Sequence, residues 1–323
     1  MNQYKALDVL KFLAAFLVIG IHSKPFDTYI IKCIECIAVP FFFTASSFLF
    51  FLRNGTFSKF ARRISILYIS WFLLELYVVY ERFFQNDTLF SSIGKFLHAL
   101  LLTNTFYESW YLIALLETIG IVYFLSRKCS NVILAFLGII LYIPPLLFSA
   151  YYGNMTTEHQ QILRNLYSII PVTNSCVIAL IYAVLGKMAS DIYKQRGGGR
   201  FSLLAFLWLL SIILWGIEAY IQKQNVHNFK AFIMLPVVAF LLVLISVNPI
   251  FNKLPLSAKF CKNLRSYSTL IFFSHVLFIG LIGFTMGLKH TFSAYVIVAL
   301  LSVSFSVIVV ELSKKIKILR FIF

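Results

Sequence analysis

Charge is what this sequence has least of. Only 12% of its 323 residues are Asp, Glu, Lys or Arg, and 12 acids face 28 bases. Soluble domains carry about a quarter charged residues, so an ordinary water-soluble class is excluded. Cysteine is also scarce, five in all and scattered, which excludes a disulfide framework. Cys33 and Cys36 form one CxxC without a second pair or a thioredoxin-like context, so no redox or metal role is expected of them. No internal repeat stands out and no soluble domain is expected at either end, so the chain reads as one domain over residues 1–323. The single linker-like stretch is Gly197-Gly198-Gly199 within 194–200.

What is present is apolar surface: 60% of residues are hydrophobic and the mean hydropathy is +0.88. Phe (35) and Tyr (17) suit helix packing in a bilayer and aromatic belts at its surfaces. Stretches near the length of about 20 residues that a spanning helix needs occur at 6–26, 31–52, 64–84, 109–126, 131–149, 173–190, 201–221, 231–248, 267–288 and 291–312. A shorter stretch at 93–106 reads as re-entrant or interfacial. The expected fold class is therefore all-α, a polytopic integral membrane protein of about ten transmembrane helices with both termini cytoplasmic.

The net charge of +16 raises the possibility of nucleic acid, and its distribution answers against it. With the N-terminus inside, 20 of the 28 bases fall in inner segments and 8 in outer ones, while seven acids, Asp27, Glu35, Glu81, Asp87, Glu108, Glu158 and Glu218, fall outside. Short basic loops at helix ends are the positive-inside pattern, and nucleic acid is not an expected partner. Asp8 and Lys11 interrupt the first stretch and no small-residue cleavage site follows Ser23, so it is not read as a cleavable leader.

Ionisable groups inside spans need a partner, a cavity or a job. Asp8, Lys11 and His22 lie on the first span, and the eleven-residue step from Lys11 to His22 turns about 1100°, some 20° from alignment. The same step rises roughly 16 Å, placing His22 near mid-membrane when Lys11 is at the inner boundary. That polar face is expected to look into a shared protein-lined cavity, where a near-neutral imidazole can take a proton from a hydroxyl. The bland alternative is a histidine hydrogen-bonded to a neighbouring helix.

Arg62-Arg63 opens the third span with forked donors suited to phosphate, or is an ordinary topogenic cluster. Glu75 shares a helix face with Tyr68, Glu117 follows Trp110-Tyr111, and His275 is a second intramembrane imidazole after Tyr267-Ser268. Glu311 beside Lys314 and Lys315 reads as a structural ion pair. The outer loop 150–172, with Asn154, Glu158, His159 and Arg164, is a candidate substrate entrance or a plain connector.

In this order the residues resemble the membrane acyltransferase-3 family of integral membrane O-acyltransferases that modify bacterial surface glycans and related acceptors. Leu7-Asp8-Val9-Leu10-Lys11 followed by His22 is similar to its LDxLR…H signature, and 38–49, AVPFFFTASSFL, to its AVPFFFxxSGxL segment. Phe60-Ala61-Arg62-Arg63-Ile64 resembles the entry to its third helix, Ser109-Trp110-Tyr111-Leu112 its LWFLxAL segment, and Tyr267-Ser268 to His275 its late YS…YLxH motif. Three positions depart: Lys11 stands for arginine, Ser47 for glycine, and Phe272 or Phe273 for the late tyrosine. Lysine keeps the charge and loses the fork.

The resemblance implies transfer of an acyl group, acetyl in the first instance, from cytoplasmic acetyl-CoA or another acyl-CoA to a hydroxyl of a surface or lipid-linked glycan, in the bacterial inner membrane and without a metal. CoA phosphates would meet Arg62, Arg63 and Lys11. His22 would act as general base or transient acyl carrier, oriented by Asp8 or Glu75. Ser46, Trp110, Tyr111, Glu117 and His275 would position the acceptor or stabilise the oxyanion. Membrane lipid and the glycan are the implied partners, and a homodimer is one option for assembly. Two other classes compete: a transporter of glycan or lipid-linked sugar, although no matching pair of interrupted helices occurs, and a non-catalytic sensing or uptake module.

Overall fold

The computed structural model describes residues 4–25, 28–85, 89–288 and 290–323; Asp27, Asp87 and Lys289 of the charge count lie outside these. The described residues form helices and connecting turns, with no strand. In chain order the helices are α1 (Lys5–Ser23), α2 (Tyr29–Glu35), α3 (Ala38–Leu52), α4 (Phe57–Leu74), α5 (Leu76–Phe83), α6 (Leu89–Leu102), α7 (Ser109–Leu125), α8 (Asn131–Phe148), α9 (Thr157–Ile169), α10 (Cys176–Arg196), α11 (Phe201–Gln222), α12 (Leu235–Ser246), α13 (Ala258–Met286) and α14 (Phe292–Leu312).

Among the described residues seven segments are long and apolar enough to cross a membrane: α1, α2 joined to α3, α8, α10, α11, α13 and α14. An eighth results if α4 and α5 count together, although the pair bends by 74° at Glu75. The expected continuous span over 64–84 is therefore broken. The remaining two expected windows correspond to shorter apolar helices, α7 with 17 residues and α12 with 12. The uncertain stretch at 93–106 overlaps α6.

The centre is built by α3, α7, α10 and α12 with α1 and α13 packed beside them. Phe41, Phe43 and Phe48 of α3 are fully buried, as are Leu112 and Ile119 of α7. Close approach of α10 to α3 depends on Gly186, where a Cβ would meet the Thr44 carbonyl and lie 2.6 Å from Ser47 Cβ. The Ser47 hydroxyl donates to the Ala183 carbonyl at 2.5 Å, so the serine that departs from the family pattern joins these helices. By contrast α11 turns Leu203, Phe206, Ile213 and Ile217 outward, a surface suited to lipid.

Local signals set the helix ends. Ser257 caps α13 by accepting the Phe260 amide, so this helix starts nine residues before the expected 267 and carries Lys259, Lys262 and Arg265 on its first turns. Ser175 likewise caps α10, which Gly197 ends at φ +61°. After α14, a short 3-10 segment over Lys317–Ile322 returns to the bundle, where Trp71 donates its indole N–H to the Ile322 carbonyl at 3.1 Å.

Candidate active site

Two cavities open toward opposite ends of α1. The one at the Lys11 end, about 470 Å³, is lined by Lys11, Arg53, Lys59, Arg63 and Arg265 together with Ser46 and Tyr111. Five cationic side chains around one volume make an anion receptor, and arginines favour phosphate geometry. Arg62 is exposed and does not line it, so only one member of the Arg62-Arg63 pair faces inward.

Asp8 does not reach His22. They stand fourteen positions apart, about 21 Å along the helix. Its carboxylate instead accepts from Arg265 Nε at 2.9 Å and Nη2 at 2.7 Å, a bidentate pair with Asp8 buried. The expected orienting role for Asp8 is thereby replaced by one of holding α1 to α13 and aiming Arg265 at the cavity.

The cavity at the His22 end, about 340 Å³, is lined by His22, Lys24, Lys32, Glu35, Glu108, Trp110, Asn174, Asn228 and Lys230 among others. His22 Nε2 stands 3.1 Å from Glu108 Oε1, with the histidine side chain 39% exposed and the glutamate 8%. The tight turn before α7 presents this carboxylate: Ser109 Oγ accepts the amides of Thr105 at 2.9 Å and Phe106 at 3.2 Å, which fixes Glu108 at the mouth of the helix. Lys230 is exposed as a residue, yet its ammonium end donates to Asn174 and is enclosed by protein. That enclosure lowers its pKa to about 8, against the opposing pull of Glu108.

A single aromatic layer separates the cavities. The Phe43 ring lies 4.6 Å from Tyr111 and 5.9 Å from Trp110, and Tyr111 lies 4.8 Å from Phe272. Trp110 borders one cavity and its neighbour Tyr111 the other. Tyr111 Oη and Ser46 Oγ meet at 3.4 Å on the Lys11 side. The expected single cavity shared by Lys11 and His22 is thus two chambers back to back, because bulky residues of α3, α7 and α13 meet at mid-height.

His275 is fully buried and borders neither cavity. Its ring centroid is 5.1 Å from that of His22, so the two imidazoles are neighbours. Glu75, at the bend between α4 and α5, is buried beside the Tyr107 backbone and close enough to Glu108 for their charges to interact. It therefore stands next to the partner of His22. Glu117 faces the Cys176 thiol and lines neither cavity, and Glu311 pairs with Lys314 as a structural link. The outer-loop residues Asn154, Glu158, His159 and Arg164 line neither chamber.

Sequence reasoning missed Glu108 as a partner of His22, and Arg265 and Arg53 as lining of the basic chamber. Glu108 immediately precedes the Ser109-Trp110-Tyr111 motif, which is the signal that could have found it.

A family model described as an acyltransferase domain matches residues 4–311. Two curated relatives, both called amino-acid racemase and both from Enterococcus faecalis, are similar to this chain. One is 26% identical over 245 residues, covering 69% of this chain and 34% of the relative. The other is 23% identical over 269 residues, 76% of this chain and 38% of the relative. The chain spans about a third of the length of these relatives. No solved structure matches.

Proposed function

The chain belongs to the acyltransferase domain family, and from that premise we propose that this multi-pass membrane protein is an O-acyltransferase carrying an acyl group from cytoplasmic acyl-CoA to a glycan hydroxyl across the membrane. The observation that carries the reading is the pairing of a cationic chamber with a His–Glu chamber through one layer of side chains.

The CoA phosphates bind Arg63, Arg265, Arg53 and Lys11, with the thioester directed at the aromatic layer. In the other chamber Glu108 accepts the Nε2–H of His22, and the second ring nitrogen takes the proton of the acceptor hydroxyl. The carboxylate stabilises the imidazolium that forms, as the orienting acid of a triad does. The freed oxygen attacks the thioester carbonyl, the C–S bond breaks, and the leaving thiolate recovers the proton from His22. The Tyr111 and Ser46 hydroxyls, 3.4 Å apart on the Lys11 side, act as the donors to the carbonyl oxygen as it gains charge. For the two substrates to meet, the layer of Phe43, Tyr111 and Phe272 opens by side-chain rotation. Acetyl is the acyl group of this proposal. The Lys11 chamber faces the cytoplasm in agreement with the basic inner segments, and the inner membrane of a bacterium is the setting.

Purified protein supplied with labelled acetyl-CoA and a surface-glycan extract should release CoA and label the glycan, and His22→Ala should abolish both. Labelled glycan crossing a vesicle membrane without CoA release would instead establish a transporter.

A second reading is favoured by the relatives, whose printed name is amino-acid racemase and which extend well beyond the matched third. In it the chain is a membrane module that hands a small substrate to a separate enzyme domain. Uptake of labelled amino acid into vesicles, with no CoA released, would select it.

A further inference from the structure

We propose that His22, Glu108 and His275 form a binding site for a divalent transition-metal ion of the zinc class, and that an ion held there switches off the His22 base. The inhibitory half rests on His22 being the base; the binding half stands on geometry alone.

The three residues converge from separate elements: the end of α1, the turn before α7 and the middle of α13. One ligating atom from each lies within 4.8 Å of the other two. A tetrahedral ion with bonds of about 2.1 Å needs its ligands roughly 3.4 Å apart. His22 and Glu108, at 3.1 Å, are already near that spacing, and the widest pair closes by side-chain rotation.

His275 carries most of the weight. Its Nδ1–H donates to the Ile271 carbonyl at 3.2 Å, which fixes the tautomer and leaves a lone pair on Nε2. That Nε2 is buried and finds no hydrogen-bond partner among the described residues. A buried acceptor left so costs about 1–3 kcal/mol. Metal-binding histidines commonly anchor their other ring nitrogen to a backbone carbonyl in this way. Glu75 adds a second buried atom without a partner, Oε2, and its carboxyl is electrostatically linked to Glu108. A dication beside them relieves that repulsion.

Two imidazoles and a carboxylate select zinc, cobalt or nickel over magnesium or calcium, which prefer oxygen. The His22 chamber provides entry and room for water in a fourth position. A neutral imidazole has one in-plane lone pair. Once a metal holds it, His22 cannot take the acceptor's proton; no electron moves, and any ring proton displaced shifts to the other nitrogen.

The test uses tag-free protein stripped with a chelator and titrated with Co²⁺, read by its visible absorption, then by displacement with Zn²⁺. One equivalent of Co²⁺ should give the bands of a four-coordinate N/O site. His275→Gln should weaken zinc binding by more than the roughly 100-fold that loss of an outer-shell partner costs and abolish zinc inhibition of the transfer that this variant retains. Absence of visible bands from the unmodified protein, or equal zinc inhibition of His275→Gln, overturns the site. Cobalt binding by protein that shows no acyl transfer when stripped of metal supports the site and removes the acyltransferase reading; transfer by stripped protein that binds no cobalt does the reverse.

Discussion

Asp8 and Arg265, 257 positions apart, close a two-bond ion pair that ties the first helix to α13 and aims a guanidinium at the basic chamber. Removing one side of a buried pair leaves an uncompensated charge, a loss of about 3–5 kcal/mol when both partners are buried. Arg265 is 32% exposed at its side chain, which places the expected loss near the lower end. Arg265→Ala should therefore lower the melting temperature in detergent and weaken acyl-CoA binding together. Asp8→Asn, which keeps the shape and one of the two acceptor oxygens, should do less of both. Equal melting of Arg265→Ala and the parent protein would contradict the assignment.

Orientation of the base is assigned to Glu108. Glu108→Gln should reduce kcat by roughly 100-fold or more with little change in the KM for acyl-CoA, because the lost interaction strengthens only as the imidazolium forms. The comparison variant is Glu117→Gln, which touches neither chamber and should keep kcat within a few-fold. Steady-state kinetics with the donor varied separates them; similar losses in both would remove Glu108 from its role.

Arg62 and Arg63 are adjacent, yet only Arg63 lines the chamber. Hydrogen bonds to charged groups contribute about 1.5–3 kcal/mol, so Arg63→Ala should raise the KM for acyl-CoA by roughly 10- to 100-fold. Arg62→Ala should leave it nearly unchanged. Because the contact is between charges, the difference should shrink as salt is raised. A larger effect at Arg62 would show that the helix face is misassigned.

Gly186 and Ser47 test the packing that supports the site. Gly186→Ala forces a methyl into α3 backbone, and overpacking of this kind costs about 1–3 kcal/mol. Ser47→Ala removes one hydrogen bond to Ala183 and should cost about 1 kcal/mol. Thermal unfolding in one detergent, measured for both, should rank Gly186→Ala as the more damaging.

Much of this protein was readable without coordinates. Few charges and long apolar runs dictate a helical membrane protein, since only internally bonded helices or closed barrels satisfy the backbone in lipid. The helical repeat alone put Lys11 and His22 on one side of α1, and motif order identified Arg63, Tyr111 and His275 as worth watching. These are local properties, set by spacing along one segment.

Partnerships were not local. Glu108 read as one more acid in a short loop, and Arg265 as one more base, because nothing in their neighbourhoods says which distant helix they will face. Early capping of α13 at Ser257 moves Arg265 onto a helix, and the turn closed by Ser109 delivers Glu108 to His22. The expected common cavity became two chambers because aromatic side chains from three helices fill the same height, a matter of packing volume that no single segment encodes. Sequence settled which polar groups must be accounted for inside the membrane; tertiary structure decided which of them meet, since pairing between helices depends on crossing positions and side-chain bulk rather than on periodicity.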